Sequence, residues 1–461
     1  GDFGVSLLTG SVSQKLSGGY TQSDGGTKNS DFKRRRAYYT GSYTSRYADL
    51  VWQAGLSSQD YGASTFYSAK FDNQWEATRR IITSAQADIK PFGDERFVIT
   101  PQAYWHRDVD HYQLTHGKEG AKNGENYHRT DVYGASLNAH ATWLLGKTAV
   151  GMDIRKEHIL STAYGDLLPE NEWKDIHGTD RRYDHRGDRT NTSLFLEHNV
   201  ILGGFTLSAG VLANRNTGLD GDFRFYPGVD LSYRPNEMWK FYASWNKALR
   251  VPTYTDLYTS NSVQQGDTGL RPERTSTFKA GTRFRTRGVE AVVSGFYSKG
   301  NDIIDWVYET EESRKYHAMN IGKLDNMGYS VDATLNMTEL IPGSFVTRIK
   351  AGYARIHQRH TTEQPVYRSL YALEYLRHKA TFQLDHRIWS RLSASWAVRW
   401  QERMNHYEPY TKVDCKLQWT APTYSLYVKA DNITNHRYYD LGGVRQPGLW
   451  IMAGGSVKIG L

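Results

Sequence analysis

Apolar and polar residues alternate along most of this chain with a period of two. From 133 to 145 the odd positions are Tyr133, Ala135, Leu137, Ala139, Ala141, Trp143 and Leu145, while the even ones include Gly134, Ser136, Asn138, His140 and Thr142. Trp239, Phe241, Ala243 and Trp245 alternate in the same way with Lys240, Tyr242, Ser244 and Asn246, and the pattern returns at 205–211, 329–337, 392–400 and 424–430. A strand sends successive side chains to opposite faces, so each segment predicts a β-strand with one apolar and one polar face. The unit repeats with no Pro/Ser linker or low-complexity tract between copies. Residues 1–461 are therefore expected to form one closed sheet, a single domain, rather than several separate cores.

A soluble sandwich also alternates, and two further features favour a transmembrane antiparallel β-barrel. Aromatics gather at strand ends (Trp143, Trp239, Trp245, Trp389, Trp396, Trp400, Trp419, Trp450), as interfacial girdles require. Connections also alternate in length: short turns at 145–147, 202–204, 234–238, 285–288, 388–391 and 420–423 separate much longer polar loops. Short periplasmic turns and long extracellular loops give a bacterial outer-membrane barrel that asymmetry. No run of about eighteen apolar residues is present, so no helix is expected to span a bilayer. A closed barrel is then the way to satisfy every backbone N–H and C=O there. At about twenty residues per strand and connection, the length predicts roughly twenty to twenty-two strands, beyond the roughly 16 to 18 of porins. A lumen that wide leaks unless something fills it.

Composition adds exclusions. Only 39% of residues are hydrophobic and mean hydropathy is -0.65. The single cysteine, Cys415, is in phase with Val413, Leu417 and Trp419, so it reads as lipid-facing and builds no disulfide framework. The net charge of +8 raises nucleic-acid binding, yet basic residues are scattered and KRRR at 33–36 is the sole run. That run falls at the start of a strand descending from an outer loop, where lipopolysaccharide or solvent meets it, and no nucleic-acid partner is expected. No G-x-S-x-G, H-E-x-x-H or P-loop occurs, so neither an enzyme nor catalytic residues are expected. The chain starts at GDFG without a signal peptide, as expected of a mature or trimmed polypeptide.

Four segments in order carry a family resemblance. NKALRVPTYTDLY (246–258) with GLRPE (269–273) resembles the paired F-R-A-P…L-Y and N-P-x-L-x-P-E signatures of TonB-dependent outer-membrane receptors. YSKGNDIIDW (297–306), NIGKLDNMGYSVDATLN (320–336) and VKADNITNHRYYD (428–440) resemble that family's later signatures. The closing WIMAGGSVKIGL is similar to its last strand, although Leu461 stands where an aromatic is usual. Within the family, YGASTFYSAKFDNQWEAT (61–78) and YHRTDVYGASLNA (127–139) look like vitamin B12 (cobalamin) receptors of the Bacteroidetes type.

The resemblance implies a 22-strand type of barrel in the outer membrane of a Gram-negative bacterium. Such a receptor binds a scarce nutrient, here cobalamin or a related corrinoid, with extracellular loops and the top of an N-terminal plug. It imports the ligand when TonB pulls the plug. The plug and its TonB box precede the barrel in the family, and GDFG resembles the tip joining the first two barrel strands. The expectation is a barrel whose plug and first strand are not in this chain, the plug being a separate fragment or removed. Outer-membrane lipids, lipopolysaccharide and a surface lipoprotein are further expected partners. A siderophore or haem receptor and a passive porin-like channel are the alternatives; a haem receptor would place a histidine within 251–271, where none stands.

Loops on a rigid wall carry the ligand chemistry. Aromatic bodies with polar tips suit a large, partly planar ligand, which singles out Phe66, Tyr67, Gln74, Tyr112 and Tyr127. In the opening loop Tyr254, Asp256, Tyr258 and Asn261 are expected to meet ligand, while Arg250, Pro252, Leu270, Pro272 and Glu273 shape and anchor it. His111, His116 and His128 read as exposed surface histidines. Asp166, Glu170, Asp175 and Asp180 belong to a run of loop carboxylates of the kind that holds Ca²⁺ through several oxygens, and cobalamin-type receptors use calcium to order loops; Arg155, Arg181, Arg182, Arg186 and Arg189 compete for the same charges. No cofactor is otherwise required.

Overall fold

In the computed structural model the main sheet has 22 members. One, Asp166–Leu167, is a two-residue extension inside a loop, and the other 21 form the wall. In chain order the wall strands begin with β1 (Asp2–Thr9), β2 (Val12–Ser23), β3 (Phe32–Thr44), β4 (Ala48–Ser64), β5 (Gln74–Ile89), β6 (Phe97–Gln113) and β7 (Glu125–Trp143). They continue with β8 (Gly146–Ser161), β9 (His185–Leu202), β10 (Phe205–Asn216), β11 (Arg224–Tyr233), β12 (Trp239–Arg250), β13 (Glu273–Thr286) and β14 (Val289–Asn301). The last are β15 (Lys323–Asn336), β16 (Val346–Thr361), β17 (Leu376–Arg387), β18 (Leu392–Arg403), β19 (Tyr410–Thr420), β20 (Tyr424–Asp431) and β21 (Trp450–Val457). The structure describes residues 1–67, 70–219, 221–373, 375–404, 408–440 and 444–459; the terminal Leu461 and part of the 61–76 loop lie outside them.

The sequence alternation sets the two faces. On β7, Tyr133, Leu137 and Trp143 are 50, 57 and 50% exposed, as outward residues of a lipid-facing band must be when no lipid covers them. Their even-numbered neighbours face the lumen and pair across strands. Asn191 Oδ1 accepts from Asn214 Nδ2 at 3.0 Å; Asp385 accepts from Ser395 Oγ at 2.6 Å and pairs with Arg348 at 2.7 Å. Such pairs satisfy a polar interior that a close-packed apolar core does not fill.

Neighbouring strands run antiparallel throughout, so among 21 of them β1 and β21 point the same way. Among the described residues no ladder joins those two. An antiparallel seam between them takes one more strand running outward, which agrees with the sequence-based expectation of a wall one strand short of twenty-two.

At the end with the long connections a smaller sheet closes over part of the mouth. Gln264–Gln265 pairs with Tyr316–Asn320, which pairs with Ile304–Tyr308, which pairs with Arg368–Ser369. Leu270, Ile304, Trp306 and Ala318 pack one small apolar core and Ile303, Val307, Ile321 and Leu324 another. Beside them the buried Asp305 accepts from Ser369 Oγ and from the backbone N–H of Trp306 at 2.8 Å and Ala372 at 2.9 Å. Three loops are thus bound into one body: all of them share the strand ladder, and two of them also meet at the Asp305 carboxylate.

At the other end the turns are tight. Trp143 pairs directly with Gly146, whose φ is 125° and whose added Cβ would lie 2.0 Å from the Asn199 carbonyl oxygen of β9. Gly146→Ala is expected to cost about 1–3 kcal/mol through strain at that position. It should lower the urea midpoint of the refolded barrel, followed by heat-dependent gel mobility; an unchanged midpoint would mean the turn relaxes freely.

Candidate ligand site at the outer mouth

The 251–272 connection leaves β12 at its outer end and turns at once. Pro252 is fully buried, and Thr253 then starts α1 (Tyr254–Tyr258) with a capping box: its side chain accepts from Asp256 N at 3.1 Å, and Asp256 Oδ2 accepts from Thr253 N at 3.0 Å. The box stabilises a helix too short to persist alone. Arg250 closes the base of the loop. Its guanidinium reaches Asp256 Oδ2 at 3.2 Å and Glu273 Oε1 at 2.6 Å, and Glu273 also accepts from Ile304 N at 2.9 Å. The returning arm is held by Asn320, which accepts from Arg271 N and donates to Arg271 O, both at 2.9 Å. Leu270 and Pro272 are buried there.

So held, the loop lies against the inner face of β5–β9. Arg189 joins the two: it pairs with Glu157 on β8, donates to Pro252 O at 2.8 Å, and stands 4.7 Å over the Tyr254 ring. Gly187 makes room for that ring, since a Cβ there would sit 2.7 Å from it. Tyr164 Oη contacts Thr259 Oγ1 at 3.0 Å from the neighbouring loop.

Between loop and wall is a cavity of about 520 Å³, within the usual range for a small-molecule site. Its lining includes Glu76, Asp110, Glu157 and Arg189 with Tyr67, Tyr112, Tyr164 and Tyr254. Both Tyr61 and Tyr67 donate to Glu76 Oε2, the second at 2.5 Å. The Tyr254 hydroxyl is shielded from solvent and among the described residues has no hydrogen-bond partner, while the shielded Asp110 carboxyl stands against Glu76. Burial pushes the Tyr254 phenol up to about 12 and raises those of Tyr67 and Tyr164, so these hydroxyls stay protonated donors near neutral pH. Burial and the neighbouring Glu76 push the Asp110 carboxyl up to about 8, so near neutral pH the site presents two carboxylates and one carboxylic acid against one guanidinium, with aromatic flanks: a surface for donor-rich, uncharged or cationic groups.

Not every sequence-predicted residue lies here. Tyr67, Tyr112, Tyr254 and Asn261 line the cavity, although Asn261 Oδ1 is already taken by the N–H groups of Val263 and Gln264 at 2.9 and 2.8 Å. Tyr258 stacks on Tyr254 with ring centroids 6.2 Å apart, outside the lining. Asp256 is turned inward as cap and counter-ion and belongs with the anchors. Gln74 is 0% exposed, donating to Ser64 O and Phe71 O and accepting from Tyr112 Oη, so it braces the wall loop. Phe66 remains exposed, its ring against the edge of Tyr67 at 5.0 Å.

Tyr127 is corrected by alternation: like Tyr133 it is odd-numbered on β7, so it points away from the lumen. There it packs with Leu160, Leu168, Ile176 and Tyr183 under the 162–184 loop. Of the histidines, His128 and the half-buried His111 are corrected, while His116 is exposed. His128 is buried, stacked on Tyr164 at 4.2 Å with Nδ1 2.7 Å from Ser161 Oγ; His111 stacks on Tyr127 at 4.0 Å, and His116 meets Trp75 at 4.9 Å. The proposed calcium carboxylates do not converge. Asp175 pairs with Arg182 at 3.0 Å, Asp166, Glu170 and Asp180 are exposed, and among the described residues no three His, Cys, Asp or Glu gather as a metal site.

Glu76, Asp110, Glu157 and Arg189 were missed as a group, being scattered over 113 positions of sequence between 76 and 189. The signal lay in parity: each is a charged residue on the lumen-facing phase near the outer end of its strand. Following the alternation of β5, β6, β8 and β9 to the mouth would have collected all four.

Comparison with known proteins places this architecture. The family model described as "TonB dependent receptor-like, beta-barrel" matches residues 2–433. Among solved structures, the FrpB iron transporter from Neisseria meningitidis (F3-3 variant) is similar at 15% identity and TM-score 0.74, covering 98% of this chain and 78% of that one. A mutant of the ferric enterobactin receptor PfeA from Pseudomonas aeruginosa is similar at 14% identity and TM-score 0.72, covering 99% and 77%. The copper transporter OprC is similar at 15% identity and TM-score 0.74, covering 96% and 75%. At such identities the likeness is one of fold, and the family match over nearly the whole chain carries the conclusion: this chain belongs to the TonB-dependent receptor β-barrel family of the Gram-negative outer membrane.

Proposed function

We propose that the chain forms the wall and outer mouth of a TonB-energised importer for a scarce, uncharged or cationic ligand rich in hydrogen-bond donors, a corrinoid such as cobalamin. The carrying observation is the lumen-facing cavity, with the carboxyl groups of Glu76, Asp110 and Glu157, one guanidinium and an unpartnered Tyr254 hydroxyl. A corrin rim bears amide N–H₂ donors that suit such a lining, and a cavity of about 520 Å³ takes one edge of the ligand rather than all of it. A plug and an outward-running strand between β1 and β21 complete the device, and TonB acts through the plug.

A metal chelate is the second reading, favoured by solved relatives described as iron, ferric enterobactin and copper transporters. Charge separates the two, because an anionic ferric chelate brought against these carboxylates meets repulsion in a low-dielectric site. Cells carrying the full gene should bind cyanocobalamin and show little affinity for an anionic ferric catecholate. The reverse order would overturn the corrinoid reading. Sugar diffusion through the plug-containing receptor would instead mark a passive channel.

A further inference from the structure

One buried titratable group at the cavity takes no part in anchoring the loop. His128 on β7 is 8% exposed and lines the cavity beside Tyr164, on which its ring stacks at 4.2 Å. Its register partner on β6 is Asp110 and on β8 is Ser161, so the imidazole stands between a carboxyl and a hydroxyl. Burial pulls the imidazole down to about 4. Near neutral pH the ring is uncharged, with one nitrogen protonated and the other bare.

The serine hydroxyl decides which is which. Ser161 is 0% exposed, and its Oγ accepts from the backbone N–H of Ala163 at 2.8 Å and of Tyr164 at 2.7 Å. A hydroxyl oxygen has two lone pairs and one hydrogen. Both lone pairs are taken, so at the 2.7 Å contact with His128 Nδ1 the serine donates and the imidazole accepts. The ring proton is therefore on Nε2. Among the described residues Nε2 has no partner, and it keeps some solvent contact. On a ring that is otherwise buried, this leaves Nε2 open to the cavity it lines. A turn of backbone after β8 thus fixes a neutral N–H donor in the cavity wall.

The neighbours determine what can accept from it. Glu76, Asp110 and Glu157 line the same cavity. A carboxylate or phosphate brought to Nε2 meets their negative charge in a site poor in water, and is repelled. An uncharged carbonyl is not repelled, and one bearing an N–H₂ on the same carbon also offers donors to the carboxyls. We propose that His128 is a specificity-determining contact for a primary carboxamide of the ligand, donating Nε2–H to the amide oxygen while the amide N–H₂ turns to Glu76 and Asp110. The assignment rests on the corrinoid reading and names the rim groups that are recognised.

The test is equilibrium dialysis of cyanocobalamin against the full receptor, plug included, with His128→Gln and His128→Asn beside the parent and folding followed by heat-dependent gel mobility. A glutamine amide reaches the place of Nε2, and an asparagine amide that of Nδ1. His128→Gln should bind within about threefold of the parent, whereas His128→Asn, which still reaches Ser161, should bind at least about tenfold more weakly. A purely structural role through Ser161 gives the opposite order. On the unsubstituted receptor, nitrogen NMR with isotope-labelled histidine should show His128 protonated at Nε2, and that resonance should shift when cyanocobalamin is added. Asparagine binding as well as glutamine or better, or an Nε2 resonance that ligand does not move, would overturn the assignment and leave the corrinoid reading standing. A parent receptor that does not bind cyanocobalamin would overturn both.

Discussion

Arg250→Ala is expected to free the 251–272 loop while leaving the wall folded. Among the described residues the guanidinium is the one cation paired with both Asp256 and Glu273, whose side chains are only 10 and 14% exposed. Its loss leaves two shielded carboxylates facing each other, one still tied to the α1 cap and one to Ile304 N. Unpaired buried acceptors cost about 1–3 kcal/mol each. Arg250 is itself 42% exposed, so water enters its place and the net local cost stays near about 1–3 kcal/mol. That suffices to open a loop and not to melt a 21-strand ladder. Chymotrypsin should cut after Tyr258 much faster than in the parent, heat-dependent gel mobility should not change, and cyanocobalamin affinity should fall at least about tenfold. Arg250→Lys should recover only part, because an ammonium does not bridge two carboxylates as a planar fork does. Unchanged resistance to chymotrypsin would show that Asn320 and the small sheet hold the loop without Arg250.

The contrast between wall and mouth explains what the sequence could tell. Wall strands are read easily because one physical rule, apolar outward and polar inward, acts on every residue from Phe205 to Val211 or from Tyr424 to Ala430. Turn lengths follow from the same geometry, and the seam follows from counting. At the mouth no single rule acts. Asp256 looks like a free loop carboxylate until the capping box and Arg250 claim it, and Gln74 looks like a polar ligand contact until two carbonyls of its own loop and Tyr112 of β6 are in place. Tyr127 is the instructive error: residue type marked it as a ligand aromatic, but its odd number on β7 had already sent it to the outside. Asp305 gave no signal at all, since its partners, Ser369 and the N–H of Ala372, lie more than sixty residues away.

The same geometry says how capture could reach the lumen. Arg189 binds Glu157 on the wall, Pro252 on the loop and the face of Tyr254 at once. A ligand group placed beside Tyr254 therefore touches a residue whose position reports on wall and loop together. Movement of α1 alters the Arg189 contacts and the Tyr164–Thr259 bridge, so occupancy and loop position are physically coupled.

Tyr254→Phe separates binding from folding at this point. The hydroxyl is shielded and has no partner among the described residues, so in the empty receptor it is a desolvated polar group costing about 1–3 kcal/mol. Phenylalanine removes that cost and keeps the ring, its packing over Gly187 and its contact with Arg189. Loop protection against chymotrypsin at Tyr258 should therefore stay level or rise. Cyanocobalamin affinity should fall by about tenfold or more, because the bound state loses a hydrogen bond that the empty state never had. Tyr254→Ala should weaken binding further and also loosen the loop, since it removes the ring that Arg189 covers. The two substitutions move protection in opposite directions and affinity in the same one. If Tyr254→Phe lowered protection as well, the hydroxyl would have a structural partner and the cavity would lose its most specific donor; if it changed neither, the ligand would sit elsewhere in the mouth.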